Sequence, residues 1–119
     1  IHIKDMAEAY LVLLNAPKEI IAGNIYNAGY ENQSVKKIAE TVKNVVGDDV
    51  KLVTSHSDDN RSYHISSNKI KTELGFEAKH TIHDAVEDLC DAFDKNLLPN
   101  SLSDEMYFNI KRMQSINLV

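Results

Sequence analysis

Apolar positions recur along this chain at two spacings, three to four residues in some stretches and two in others. Ile1-His2-Ile3 alternates like the end of a strand, and Asp5 stands where a helix N-cap belongs. Met6, Tyr10, Leu13 and Leu14 then share one helical face, closed by Asn15-Ala16-Pro17. A connector over 18–24, with the turn pair Gly23-Asn24, leads into a short strand at 25–29. Ser34 offers its hydroxyl as the cap of the next helix. That helix carries a stripe of Val35, Ile38, Ala39, Val42, Val45 and Val46, with Gly47 as a left-handed stop.

The second half continues the pattern. VKLVT at 50–54 has strand composition, 55–60 is polar loop, and 62–66 alternates again, with Tyr63 and Ile65 on one face. Ser66-Ser67 lead as caps into a helix at 67–74. Gly75 ends it, and Phe76 is placed to fold back onto Ile70. Thr81 and Asp84 imitate a capping box, and Ile82, Ala85, Val86, Leu89 and Phe93 line the long helix that follows, to Leu97-Leu98-Pro99. Ser103 is placed to cap a last helix, acidic at its start (Asp104, Glu105) and basic at its end (Lys111, Arg112), as the helix dipole favours. Met106, Ile110 and Met113 give it an apolar edge. The pattern predicts an α/β chain, mostly helical with a few short strands, too few to close a doubly wound sheet. Its opening inside an apparent strand, without Met, reads as a piece of a longer protein.

A length of 119 residues allows one domain or part of one. The net charge of −5, with Lys and Arg scattered, argues against a nucleic-acid or membrane surface. The longest apolar cluster, AYLVLL, is far too short to span a bilayer. Cys90 has no intrachain partner and no secretory signal is visible, which favours a reducing, cytoplasmic compartment.

Candidate chemistry is sparse. The glycines at 23, 29, 47 and 75 lie far apart at element ends, so no phosphate-cradling loop and no cofactor-binding residue is expected in this stretch. His80 and His83 lack the spacing of a metal site, and Ser66, Ser67 and Cys90 read as caps and core rather than nucleophiles, so no catalytic residue is assigned. Asp5 reads as a cap, since an active-site carboxylate needs a partner that the sequence does not identify. Arg61 is different. A guanidinium at a strand start can fork onto phosphate oxygens, or it can pair with Asp58 or Asp59, and local chemistry leaves both open. His56, in the loop before it, offers a second donor, against a solvated loop histidine.

Three blocks of the chain carry a resemblance. IHIKDMAEAYLVLL resembles the HVxDxAxA segment of the extended short-chain dehydrogenase/reductases, the NAD-dependent nucleotide-sugar epimerases and dehydratases. IYNAG with SVKKIAETV is similar to their YNxG…SxxxIAxxV segment, and RSYHISSNKIKTELGFEAKHTIHDAVEDL to their D…xKxxxxLGaxPxxxxxxai ending. The blocks occur in the family's order and reach to about residue 95. The resemblance implies a C-terminal, substrate-binding portion over 1–95, a helical extension over 96–119, and a missing N-terminal Rossmann domain that holds NAD(P) and the Tyr-x-x-x-Lys pair. It implies a nucleotide-sugar substrate, a homodimer for the parent, and an isolated piece without activity. An arginine in the loop before the last block commonly meets the diphosphate in that family. Here His56 aligns with it and Arg61 falls later, so the implied substrate-binding residues are Arg61 and His56. The alternative is a non-catalytic nucleotide-binding or helical protein-interaction module.

Overall fold

The structure, a computed structural model, describes residues 1–56, 58 and 62–118. The chain forms two compact units, Ile1–Asp88 and Leu89–Val119. In chain order the helices are α1 (Ile3–Asn15), α2 (Lys18–Ile21), α3 (Val35–Val46), α4 (Asn68–Leu74), α5 (Ile82–Asp94), a 3₁₀ turn (Glu105–Tyr107) and α6 (Asn109–Ser115). No strand forms among the described residues, which corrects the expected α/β class: the protein is helical, with extended segments where strands were expected.

The reason is visible where two of those segments meet. Residues 25–32 and 62–67 are linked, but through side chains rather than a backbone ladder. The Ser67 hydroxyl accepts from the Gly29 N–H at 2.8 Å and donates to the Gly29 carbonyl at 3.0 Å. The Asn32 amide donates to the Ile65 carbonyl at 2.9 Å and accepts from the Ile65 N–H at 3.1 Å. Each side chain presents one donor and one acceptor, as a facing peptide would. Gly29 is required for this approach, because a Cβ there would lie 2.9 Å from Ile65 Cγ1. At 50–54 no strand forms among the described residues, and Leu52 and Val53 stay exposed. Strand composition predicts an extended backbone, but a strand also needs an edge to pair with.

The helix ends follow local chemistry more closely. Ser34 Oγ accepts from Lys37 N, as expected of a cap. Gly47 stops α3 at φ 126°, ψ 175°, outside the left-handed helical region expected for it but still a glycine conformation. Gly75 closes α4 at φ 69°, ψ 9°, and Phe76 packs into the core with Ile70, as the apolar contact of such a cap demands. The capping box holds: Asp84 Oδ2 accepts from the Thr81 N–H at 2.7 Å, and Thr81 Oγ1 from the Asp84 N–H at 3.2 Å. Ser67 is not a side-chain cap, because its hydroxyl is committed to Gly29.

The core of the first unit is Ala9, Ile70, Phe76 and Ala78, with Val12, Tyr26, Ala28 and Leu74 packed against it. This corrects the expected face of α1. Asp5 and Ala9 are buried and Val12 packs beside them, while Tyr10 and Leu14 are exposed. A small residue at 9 lets Ile70 and Phe76 reach the helix, and a larger side chain there would hold them off. Ile1–Ile3 is not a strand end either: His2 is extended and caps α1, and Ile3 is its first residue.

In the second unit the expected last helix is divided. Asp104, not Ser103, accepts from Met106 N and opens the 3₁₀ turn. Phe108, at φ −123°, interrupts the helical path before α6. Glu105 ties the pieces together, accepting from Arg112 at 2.8 Å and Ser115 at 2.9 Å.

Removing the Ser67 hydroxyl leaves both polar groups of Gly29 without their partner. Ser67→Ala is expected to cost about 1–3 kcal/mol in urea unfolding, the range for orphaned polar groups. Ser66→Ala, whose hydroxyl reaches Asn68 N only at 3.4 Å, is expected to change stability by less than about 0.5 kcal/mol.

Candidate functional site

The densest polar cluster of the first unit gathers where the start of α1 meets residues 79–81. Asp5 is fully buried. Its Oδ2 accepts from the Lys79 and His80 N–H groups at 3.0 and 2.9 Å, and its Oδ1 lies 2.7 Å from His80 Nδ1. Asp5 is therefore not the cap of α1. That place belongs to His2, whose Nδ1 accepts from Lys4 N at 3.1 Å.

These bonds define both imidazoles. Burial pushes the Asp5 carboxyl up, but the His80 amide, the His80 ring and the Lys79 amide outweigh it, and the net shift is below the usual carboxylate value. An ionised carboxylate only accepts, so the His80 ring donates to it from Nδ1. His2, accepting at Nδ1, presents Nε2–H to Asp88 at 3.2 Å. Asp88 is also held by Lys4 at 2.6 Å, and that hydrogen bond, more than any other influence, keeps its carboxyl below the usual range. The two rings stack at 4.7 Å, so the cluster is one continuous array from Asp5 through His80 and His2 to Asp88.

Beside the array lies a cleft of about 280 Å³, lined by Ile1, His2, Tyr30, Glu31, Ile38, His80, Thr81, Ile82 and Ala85. His80 is a third exposed at its side chain. A carboxylate-oriented imidazole beside a cleft is an arrangement suited to hydrogen bonding with a ligand.

Of the residues expected to bind substrate, His56 is among the described residues and lies elsewhere. His56 is on the surface, with Nε2 3.0 Å from Asp58 Oδ1 and both side chains almost fully exposed. Arg61 lies outside the described residues. His56 does not belong to the Asp5–His80 array. His83, Asp84 and Glu87 place ligand atoms within 4.8 Å of one another on the first turns of α5. Asp84 is already engaged by Thr81, whose N–H is the foremost cause of its lowered pKa. Cys90 is half-buried in α5. The partner that Asp5 needed is His80, 75 residues away, and a single sequence holds no signal joining them.

No glycine of the chain forms a nucleotide cradle. The space beside Gly29 is filled by Ile65, and Gly23, Gly47 and Gly75 open onto free space at turns and helix ends. The residues present do not fit NAD(P). Among the described residues no helix is long and apolar enough to cross a membrane. Compared with protein families, with curated proteins and with solved structures, the chain finds no match in any of the three.

Asp5→Ala leaves three part-buried donors without an acceptor. It is expected to cost about 3 kcal/mol or more in denaturant unfolding, since the lost bonds go to a charged group. Because the folded-state pKa is depressed below 3.8, the stabilisation from Asp5 is full above that value and is lost as pH falls through the folded-state value. Asp5→Asn is therefore expected to flatten the acid limb of a stability–pH curve below about pH 4, as followed by circular dichroism.

Proposed function

We propose that this chain is the substrate-gripping part of an NAD(P)-dependent nucleotide-sugar epimerase or dehydratase. One observation supports it above the others: the three blocks that carry the resemblance meet in one unit. Ala9 of the first, Tyr26 and Ala28 of the second, and Ile70, Phe76 and Ala78 of the third share the core. Asp5 of the first block binds the backbone of the third, and Gly29 of the second binds Ser67 of the third. On this reading NAD(P) and the proton-transfer residues belong to a separate part of the parent, and this chain alone turns over no substrate. The loop around His56 faces the diphosphate, with Arg61 as its stronger cation. The lone Cys90 accords with a reducing, cytoplasmic setting.

A second reading, a helical protein-interaction module, is favoured by the uncovered stripe of α3. Val35 and Val46 are exposed, and Val35, Ala39, Leu52 and Val53 line an apolar groove of about 500 Å³.

Titrating the ¹⁵N-labelled chain with UDP-glucose, dTDP-glucose and GDP-mannose separates the two. At least one is expected to shift the amides of residues 54–56 and 62–64 saturably, and Arg61→Ala is expected to weaken that binding about tenfold, the loss of one charge-assisted phosphate contact. Absence of any saturable shift in that loop, together with concentration-dependent self-association in light scattering, would replace the enzyme reading with the interaction module.

A further inference from the structure

His2 holds the start of α1 by an atom that a proton can take. Its Nδ1 accepts from the Lys4 N–H at 3.1 Å, so that nitrogen carries a lone pair and the ring is neutral in this fold. Its Nε2 lies 3.2 Å from Asp88 Oδ2, and a carboxylate only accepts, so the one ring proton is there. A second proton therefore has one place to go, the capping nitrogen. With it the ring has two donors and no acceptor, and the Lys4 N–H faces another N–H. A serine or asparagine cap behaves differently, because its oxygen accepts across the whole range in which histidine titrates.

The surroundings confine the loss to one turn. The His2 side chain is 2 % exposed and its ring stacks on His80 at 4.7 Å, above the positive end of the helix dipole. Asp88 of α5 supplies a counter-charge, shared with Lys4 Nζ at 2.6 Å. Asp5 stands behind His80, and Tyr30 and Glu31 share the cleft with both rings. The Asp5 and Asp88 carboxyls are held below the usual carboxylate range, so both stay ionised where histidine titrates. Asp5 thus keeps its hold on the Lys79 and His80 amides. Without the cap, residues 1–4 retain the Met6 N–H bond to the His2 carbonyl at 2.9 Å and the half-exposed Lys4–Asp88 pair, and such a pair contributes little.

We propose that His2 is a pH-operated latch on the first turn of α1. Protonation of Nδ1 at mildly acidic pH releases the Lys4 N–H and frees residues 1–4, while the helix from Asp5 onward stays docked. Ile1 and His2 line the cleft of about 280 Å³, so their release opens it from one side. The latch is independent of any diphosphate site.

The test is a titration of the intact, ¹⁵N-labelled chain between about pH 8 and pH 5, the range of histidine, with the amino terminus acetylated so that it carries no titrating amine. The His2 Nδ1 resonance is expected to move from the unprotonated to the protonated position. With the same midpoint, the Lys4 amide is expected to lose about fivefold in exchange protection, corrected for intrinsic pH dependence, as for one lost hydrogen bond. The Lys79 and His80 amides are expected to stay protected. His2→Asn supplies a cap that does not titrate and is expected to keep the Lys4 protection constant, with His80 still in place. The proposal is overturned if His2 takes no proton above about pH 5, or takes one with the Lys4 amide unchanged. It is equally overturned if the Lys79 and His80 amides lose protection together with Lys4, or if His2→Asn shows the same response.

Discussion

Asp5 is a buried carboxylate whose charge is kept by three donors arriving from one short stretch of backbone and ring, residues 79 and 80. A charge with no water around it is tolerated only when it is so surrounded. The consequence is mutual positioning. The first turn of α1 and the entry to α5 must stay in contact, because separating them strands a charge on one side and two amides on the other. That contact orients the His80 ring, brings it against His2, and delivers Thr81 to the capping box that starts α5. Burial of Ile70 and Phe76 beside Ala9 adds the apolar half of the same joint.

Elsewhere the unit is held by side chains acting in place of a sheet. Ser67 and Asn32 each copy the donor–acceptor face of a peptide toward Gly29 and Ile65. Such a device joins two extended segments at single points without imposing register along their length. It explains how residues with strand composition lie side by side and still form no ladder among the described residues. It also explains why the apolar stripe of α3 is only partly covered, with Val35 and Val46 exposed: among the described residues no sheet face is present to receive it.

Two regions of the first unit carry imidazoles in different settings. His80 lines a cleft and is oriented by Asp5, an arrangement that follows from contacts between residues far apart in the chain. His56 lies on the surface beside Asp58, and the ordered blocks of sequence bear on its loop alone.

Much of the local structure was legible in the residues themselves. Ser34, Gly75 with Phe76, and the Thr81–Asp84 box act within a few positions of where they stand, so their chemistry is complete in the sequence. The long-range choices were not. Asp5 reads as a cap until His80 is found above it, and the α1 face of Asp5, Ala9 and Val12 is hidden behind the larger, more conspicuous Tyr10 and Leu14. Strand composition at 25–29, 50–54 and 62–66 set the backbone extended, but pairing is a property of two segments and no single one encodes its partner. What the sequence determined by itself was therefore the bodies of the longer helices and the stops at Gly47 and Gly75, but not α2, which lies where a connector was expected. Only the tertiary structure decided which side chains are buried together and that an imidazole faces a cleft, because burial and hydrogen bonding across 75 residues are settled by the packing of the whole unit.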